Sequence, residues 1–195
     1  MQETSVHSVT LNRELCKGCI NCIKRCPTEA IRVRDGKAAI ISERCVDCGE
    51  CIRICPHHAK RAVSDPLDVL KQYKYKIALP PPSLYAQFNN LDEPDVVLAG
   101  LLRLGFDNVF EVSRAAELVS EATRRFLQTS DMPRPIISSA CPAVTRLICV
   151  RFPQLMDHIL PLIAPIELAA RLAKDEAVKK TGLAREQIGC IFLTP

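Results

Sequence analysis

The sequence lacks tryptophan and has only three tyrosines, six phenylalanines and seven glycines in 195 residues. Because few aromatic rings are available to stack on bases, a nucleic-acid partner is disfavoured. No apolar run approaches the roughly 20 residues that span a bilayer, which disfavours membrane insertion. The opening residues, MQETSVHSVT, also lack the apolar stretch of a secretory leader. We therefore expect a protein of the cytoplasm.

Cysteine, in contrast, is abundant and unevenly distributed. Eight of the 11 cysteines lie in residues 1–63, in two runs of C-x-x-C-x-x-C-x-x-x-C-P that repeat after 29 residues. This spacing is typical of proteins that hold two [4Fe-4S] clusters. The repeat indicates a duplicated unit. A disulfide framework is the alternative, but the absence of a secretory leader argues against it.

The spacing assigns four thiolates to each cluster, because the fourth cysteine of each run ligates the other cluster. Three cysteines of one run and the last of the other form each set: Cys16, Cys19, Cys22 and Cys55 for cluster 1, and Cys45, Cys48, Cys51 and Cys26 for cluster 2. Residues 1–63 carry 11 Lys and Arg against 7 Asp and Glu, whereas the rest of the chain carries 15 basic and 15 acidic residues. We interpret this excess as compensation of the anionic clusters and as a docking surface for a redox partner.

Alternating short segments at 5–11 and 30–40 predict strands, with Asp35-Gly36 as the turn of a hairpin. Beyond residue 74, apolar strands alternate with helices, which predicts a mostly parallel sheet covered by helices. The strands are expected at 75–79, 108–112, 135–139 and 189–193, and the helices at 92–104, 115–127, 142–152 and 166–180. The predicted fold is an α+β ferredoxin-like two-cluster domain (1–63), a connector (64–76), and an α/β domain with a mostly parallel sheet (77–195).

Cys141 is the most interesting cysteine outside the two runs. It lies in Ser-Ser-Ala-Cys-Pro, where a predicted strand turns into a helix. Ligands bind at the carboxyl ends of parallel strands, and helix N-termini favour anionic groups. Ferredoxin-type runs followed by this segment resemble the iron-only ([FeFe]) hydrogenase family, whose first active-site motif is T-S-C-C-P-x-W. The sequence K-I-A-L-P-P-P-S at 76–83 is similar to the family's V-A-x-A-P-S, so the resemblance extends over essentially the whole chain.

The resemblance implies that Cys141 binds the cubane of an H-cluster, which another cysteine joins to a di-iron unit with carbonyl and cyanide ligands. Pro82 and Ser83 match residues that line the pocket of that unit, and Pro81 replaces the family's alanine. Proline has no amide N–H. Any hydrogen bond from that amide to the cofactor would therefore be missing.

The family's proton route is altered in this sequence. Ala140 replaces the cysteine that relays protons, Leu160 falls at a relay serine, and Glu121 and Arg124 fall at two relay glutamates. A well-placed acid or base contributes ~100- to 10,000-fold in rate, so we expect slow hydrogen turnover. This pattern is similar to that of sensory-type members. Whether the protein is an enzyme is left open, and no catalytic residue is assigned.

The chain ends at Pro195, where the family's next cysteine motif would follow. We therefore interpret it as a fragment that cannot complete an H-cluster alone. The leading hypothesis is electron transfer from ferredoxin or another carrier through two [4Fe-4S] clusters towards Cys141, with a signalling partner. The alternatives are a non-catalytic ferredoxin module with a regulatory or interaction domain, and a hydrogenase-like iron-sulfur assembly factor.

Other cysteines and histidines are expected to have ordinary roles. Cys149 and Cys190 fit small buried apolar residues better than ligands. His57 and His58 follow the last cysteine of the second run, and exposed turn positions are favoured for them over hydrogen bonding to a cluster.

Overall fold

The computed structural model describes residues 7–89 and 93–194, whose contacts divide into two compact units. Unit 1 contains the described residues of 7–65 and 132–160, and unit 2 contains those of 66–89, 93–131 and 161–194. The sequence-based division follows chain order and therefore assigns 132–160 to the second domain. In the structure, these residues pack with the cysteine-rich segment instead.

The elements are short in the first third of the chain and longer beyond it. The strands are β1 (Val9–Leu11), β2 (Ile31–Arg34), β3 (Lys37–Ile40), β4 (Lys60–Ala62), β5 (Tyr75–Leu79), β6 (Asn108–Val109) and β7 (Ile188–Phe192). The α-helices are α1 (Asn21–Arg25), α2 (Glu50–Arg53), α3 (Pro82–Tyr85), α4 (Asp95–Arg103), α5 (Val112–Thr129), α6 (Pro142–Arg151) and α7 (Pro165–Thr181). Short 3-10 helices lie at Ser42–Arg44, Leu67–Gln72, Pro153–His158 and Arg185–Gln187.

Two small antiparallel sheets frame the cysteine runs in unit 1. β1 pairs with β4, and β2 pairs with β3 through the turn at Asp35 and Gly36, whose φ angles are 52° and 68°. Two left-handed residues at the centre of a two-residue hairpin loop match the strand twist. The predicted hairpin is confirmed. Of the strand predicted at 5–11, residues 5 and 6 lie outside the described residues.

The buried core of unit 1 is small in volume. Its cluster beside the cysteine runs consists of thiols, alanines and one isoleucine: Cys16, Cys22, Ile31, Ala38 and Ala59. These small side chains bury little apolar surface, and small cores gain stability from a bound metal or a disulfide. Bound metal is therefore expected to contribute to the folding of this part of the chain.

The second stretch of unit 1 contributes α6 and one short bridge. Ile137 forms an isolated parallel bridge with Ile159, so the strand predicted at 135–139 does not form a ladder. Two ion pairs link α6 to the cysteine-rich segment, Arg146 with Asp47 and Arg151 with Glu29, each at 3.3 Å. These pairs connect the helix that follows Cys141 to turns near both cysteine runs.

Unit 2 contains a three-stranded parallel sheet in the order β6-β5-β7. Alternate residues of the central strand β5 face opposite sides. Ile77 belongs to a cluster with the alanine face of α7, formed by Ala169, Ala173 and Ala177, whereas Ala78 packs with residues of the α4 side. Helices therefore cover both faces, which confirms the predicted parallel sheet.

Two boundaries in unit 2 differ from the sequence-based expectation. The strand predicted at 108–112 ends at Val109, and Val112 already belongs to α5, which leaves the strand only two residues long. The helix predicted at 92–104 is α4, although Asp92 lies outside the described residues. Among the described residues, no helix combines the length and apolar character needed to cross a bilayer.

Truncation of Ile77 should destabilise unit 2. Its side chain is fully buried in the central strand, and an Ile→Ala change in a core costs ~2–5 kcal/mol. The matched control is Val96→Ala, since Val96 is 65% exposed on α4 and surface changes usually stay within ~0.5 kcal/mol. Denaturant unfolding followed by circular dichroism measures both variants. Equal midpoints would contradict the core assignment.

Removal of Arg146 should loosen α6. Arg146 and Asp47 are 34% and 29% exposed, whereas Arg151 and Glu29 are 41% and 58% exposed, so solvent screens the second pair more. Exposed pairs contribute ~0–1 kcal/mol, which corresponds to at most about fivefold in amide exchange. We expect Arg146→Met to speed hydrogen exchange in 142–151 more than Arg151→Met does. The reverse order would show that the Asp47 pair does not hold the helix.

Candidate metal centre

The two cysteine runs adopt the same backbone geometry. Gly18 and Asp47, each two residues after the first cysteine of its run, have φ angles of 69° and 53°. Glu29 and His58, each three residues after the last cysteine, have φ angles of 53° and 47°. Within each pair the two residues are 29 positions apart, which is the length of the repeat. The duplication seen in the sequence is therefore present in the backbone as well.

Each run ends in a turn that directs a backbone N–H at a cysteine sulfur. Ala30 N–H donates to Cys26 Sγ at 3.2 Å, and Ala59 N–H donates to Cys55 Sγ at 3.3 Å. The preceding residues, Glu29 and His58, are not glycines, and a left-handed conformation costs each of them ~1–3 kcal/mol. Donors of this kind stabilise a thiolate. The strain in both turns therefore accompanies a geometry that suits anionic sulfur.

The four cysteines assigned to cluster 2 meet at one cavity. It has a volume of about 360 Å³, is partly open to solvent, and is lined by Cys26 from the first run and by Cys45, Cys48 and Cys51 from the second. Burial raises the pKa of Cys51 to about 11, and the charges of Cys45 and Cys48 add to this effect. Burial also raises the pKa of Cys45, where Cys26 is among the charges that add to it. The structure thus brings together cysteines from the two runs.

The cysteines assigned to cluster 1 are also neighbours. Cys16 and Cys22 are buried, and Cys55 of the second run packs against their cluster. Burial raises the pKa of Cys22, the charge of Lys60 opposes this, and the charges of Cys19 and Cys55 raise it further. The last cysteine of the second run therefore lies beside cysteines of the first.

The β2–β3 hairpin holds the loop of the first run in place. Lys37 Nζ donates to the carbonyl of Cys16 at 2.7 Å, and Ala38 N–H donates to Cys16 Sγ at 3.4 Å. A Cβ atom on Gly18 would lie 2.3 Å from the carbonyl oxygen of Gly36, so only glycine fits there. Burial alone would raise the pKa of Cys16, but the N–H donors of Ala38 and Gly18, with nearby lysine charges, lower it.

These residues fit an iron-sulfur cluster at each site. Four thiols per site match the ligand set of a [4Fe-4S] cluster, and N–H···S bonds are among the contacts that tune such clusters. Thiolates are soft ligands that select iron-sulfur clusters, Zn²⁺ and Cu⁺ over hard cations. The number of clusters and the individual ligand roles remain predictions.

Cys141 lies directly before α6. It is the exposed N-cap residue of α6, and its carbonyl accepts a hydrogen bond from Thr145 N–H at 3.1 Å. Cys149, on the same helix, was expected to be buried, and this expectation is wrong: it is exposed. Ile148 is the buried residue of α6, and the next residue points about 100° further around the helix. The ligand role of Cys141 stays a prediction.

The predicted pocket residues of unit 2 lie at the end of β5. Pro81 is buried and caps α3, whereas Pro82 and Ser83 are exposed in its first turn. Ligands commonly bind at this end of parallel strands, which is compatible with the predicted role but does not test it. Cys190 is half-buried in β7, and its Sγ donates to the carbonyl of Ala170 at 3.7 Å. This arrangement fits a structural residue.

The residues at the altered proton-route positions have ordinary environments. Leu160 is buried, with 4% of its surface exposed. Glu121 is half-buried on α5 and forms ion pairs with Arg124 and with Arg125, the latter at 2.8 Å. A solvated helix face explains these three side chains. His57 and His58 are likewise exposed, as expected for turn positions.

Sequence reasoning missed the residues around Cys45. His7, Cys45 and Asp47 bring one ligand atom each within 4.8 Å of one another, although the sequence gives His7 no partner. Asp47 also accepts a hydrogen bond from Ser8 N–H at 2.7 Å and pairs with Arg146. A comparison of the two repeats would have singled out Asp47, because its equivalent is Gly18.

The comparisons with known proteins agree with this geometry. Residues 8–56 match a 4Fe-4S dicluster domain, and residues 74–195 match the iron only hydrogenase large subunit, C-terminal domain. The chain is 32% identical over 209 residues to the periplasmic [Fe] hydrogenase large subunit of Nitratidesulfovibrio vulgaris, an alignment that covers 97% of this chain and 50% of that protein. It is 28% identical over 106 residues to the NADP-reducing hydrogenase subunit HndD of Solidesulfovibrio fructosivorans, which covers 50% of this chain and 18% of that subunit.

Solved structures with a similar fold include an [FeFe]-hydrogenase. This hydrogenase, described in work on oxygen inactivation through the H cluster 2Fe subcluster, superimposes with a TM-score of 0.52 and 24% identity over 66% of this chain and 35% of that chain. The chain spans half the length of the periplasmic relative. The family match covers well over half of the residues, and the cysteine runs coincide with the 4Fe-4S match. The chain therefore belongs to the iron-only hydrogenase large-subunit family and includes a 4Fe-4S domain.

Proposed function

We propose that this chain binds two [4Fe-4S] clusters and carries electrons through them towards a hydrogenase-type site at Cys141, as a sensory-type or slow member of its family. The observation that carries the proposal is the grouping of the cysteines. Each set takes three cysteines from one run and one from the other. The cluster 2 set lines one cavity, the members of the cluster 1 set are neighbours, and backbone N–H donors point at the sulfurs of Cys26 and Cys55. All-cysteine ligation supports potentials within about −700 to +450 mV, where electron carriers operate.

The contacts of α6 suggest the order of transfer. Asp47, between Cys45 and Cys48, pairs with Arg146, and Glu29, three residues after Cys26, pairs with Arg151. Both partners of α6 thus adjoin cysteines assigned to cluster 2. Since α6 begins directly after Cys141, cluster 2 is the one on the side of Cys141 in this proposal. Cluster 1 then receives electrons from the external carrier.

The proton route supports a slow or sensory role. Ala140 has no group that exchanges a proton, Leu160 is buried and apolar, and Glu121 is engaged in exposed ion pairs. Loss of a positioned acid or base lowers rates by ~100- to 10,000-fold. The domain would then report hydrogen or redox state to a signalling partner rather than sustain turnover.

The proposed redox partner is ferredoxin or another small electron carrier, attracted by the basic excess of residues 1–63. We propose a cytoplasmic location for the chain. The relative from Nitratidesulfovibrio vulgaris is described as periplasmic, so fractionation of the native host is the measurement that decides the location.

A second candidate function is a ferredoxin module without a di-iron site, either regulatory or concerned with iron-sulfur assembly. The exposure of Cys141 favours this candidate. A di-iron unit with carbonyl and cyanide ligands gives infrared bands that a cubane does not. Those bands in a protein that contains this chain with its downstream family motifs, matured by the host enzymes, would exclude the second candidate.

Substitution of Cys19 should remove one cluster and spare the other. In the anaerobically purified chain reduced with dithionite, Cys19→Ala is expected to lose one of two S = 1/2 paramagnetic signals and about half of the iron. Cys149→Ala is the control, because Cys149 is an exposed thiol outside both runs. Retention of both signals in Cys19→Ala would contradict the ligand assignment.

The iron content tests whether Cys141 binds a cluster in this chain. We expect about eight irons and eight acid-labile sulfides, the content of two [4Fe-4S] clusters. We expect no change in Cys141→Ala, because Cys141 is the one cysteine of this sequence that is assigned to the H-cluster. Appreciably more iron that is lost in Cys141→Ala would contradict this expectation. Such a result would extend the hydrogenase site into the chain itself.

A further inference from the structure

The two halves of unit 1 differ at a buried position beside the cysteines. Ile31 is the fifth residue after Cys26 and begins β2, and Lys60 is the fifth residue after Cys55 and begins β4. Their side chains are 2% and 3% exposed. The duplication therefore places a lysine in one copy where the other copy has an isoleucine.

The amine of Lys60 is buried without a hydrogen-bond partner among the described residues. Lysine normally carries an ammonium, a compact charge with three donors. A buried charge without a partner is strongly unfavourable, so buried lysines are normally paired with an anion. The protein groups described around Lys60 Nζ do not supply one through a hydrogen bond. An anionic group bound at this place would remove the penalty.

The neighbours of Lys60 are cysteine thiols of the predicted cluster sites. Burial is the largest influence on the pKa of Cys16, Cys22 and Cys51, and the positive charge of Lys60 acts against it in all three. Two of these three, Cys16 and Cys22, belong to the set assigned to cluster 1. Ala59, the residue before Lys60, packs in one buried cluster with Cys16 and Cys22, so Lys60 lies beside the first site, and its charge also reaches Cys51 of the second.

The internal repeat independently points to cluster 1. Ile31 lines the cavity formed by the cysteines of cluster 2. Ala30 and Ala59, which precede Ile31 and Lys60, donate equivalent N–H bonds to Cys26 and Cys55. Because Cys55 belongs to the cluster 1 set, the duplication relates Lys60 to cluster 1 as it relates Ile31 to cluster 2.

We propose that the charge of Lys60 raises the reduction potential of cluster 1 above that of cluster 2. This inference rests on the proposed two-cluster function. A reduced carrier would supply one electron to the cluster, without bond changes or proton transfer. Hydrogen bonds to sulfur and nearby charge are established determinants of cluster potential. A positive charge favours the reduced cluster because reduction adds a negative charge.

The consequence is an uneven division of electrons between the clusters. Ile31 offers no charge at the equivalent place, so cluster 2 receives only the effect of Lys60 that reaches Cys51. The first electron delivered to the protein then resides mainly on cluster 1. Its passage to cluster 2 is the unfavourable step on the way to Cys141.

Lys60→Met tests the proposal, because methionine fills much of the same space without charge. Potentiometric titration of the anaerobically purified full chain, followed by electron paramagnetic resonance, gives both midpoints. The signal that Cys19→Ala lacks identifies cluster 1. We expect the cluster 1 midpoint to fall by at least about 59 mV, which is tenfold for a one-electron couple, and the cluster 2 midpoint to fall by less. Ile31→Met, the matched change in the other copy, should shift the cluster 1 midpoint by less than about 59 mV.

Iron and sulfide analysis distinguishes the ways in which this test can fail. Wild-type protein with fewer than two clusters would contradict the proposed function itself. Two full clusters in Lys60→Met with an unchanged cluster 1 midpoint would overturn only the role of Lys60. If Lys60→Met does not assemble its clusters, Lys60→Gln, which is polar but uncharged, is measured in its place. The wild-type protein gives a second test without substitution, since cluster 1 must have the higher midpoint; an equal or reversed order overturns the proposal.

Discussion

Unit 1 depends on one constraint: in each run a backbone N–H donates a hydrogen bond to the sulfur of the last cysteine. Glu29 and His58 adopt left-handed conformations so that Ala30 and Ala59 can make these bonds. The same turns direct the chain into β2 and β4, which close the two small sheets. Because the core between them is small, metal ligation and this turn geometry must together maintain the fold.

Unit 2 is stabilised in a different way. Its sheet is short, but alanines spaced four residues apart on α7 allow the helix to approach β5 closely. Isoleucine, leucine and phenylalanine side chains fill the remaining space. Its stability is therefore expected to be independent of iron. One chain thus combines a ligand-dependent unit with a conventionally packed one, so loss of metal should affect them unequally.

The sequence predicted features that depend on local spacing, and it did not predict those that depend on long-range contacts. The cysteine runs, the hairpin at Asp35-Gly36 and the parallel strands follow from short patterns. Arg146 and Asp47, which place α6 in unit 1, are 99 residues apart, so no local pattern relates them. Lys60 was overlooked for another reason: its importance appears only when the two repeats are compared residue by residue.

The discontinuous construction of unit 1 has a consequence during synthesis. Residues 132–160 leave the ribosome long after the cysteine runs, because 66–131 are made in between. At about 5–20 residues per second, this delay is on the order of ten seconds. During that interval the thiols lack the α6 contacts and are accessible to oxidants. Delivery of iron to the nascent chain within this time would protect them before the unit is complete.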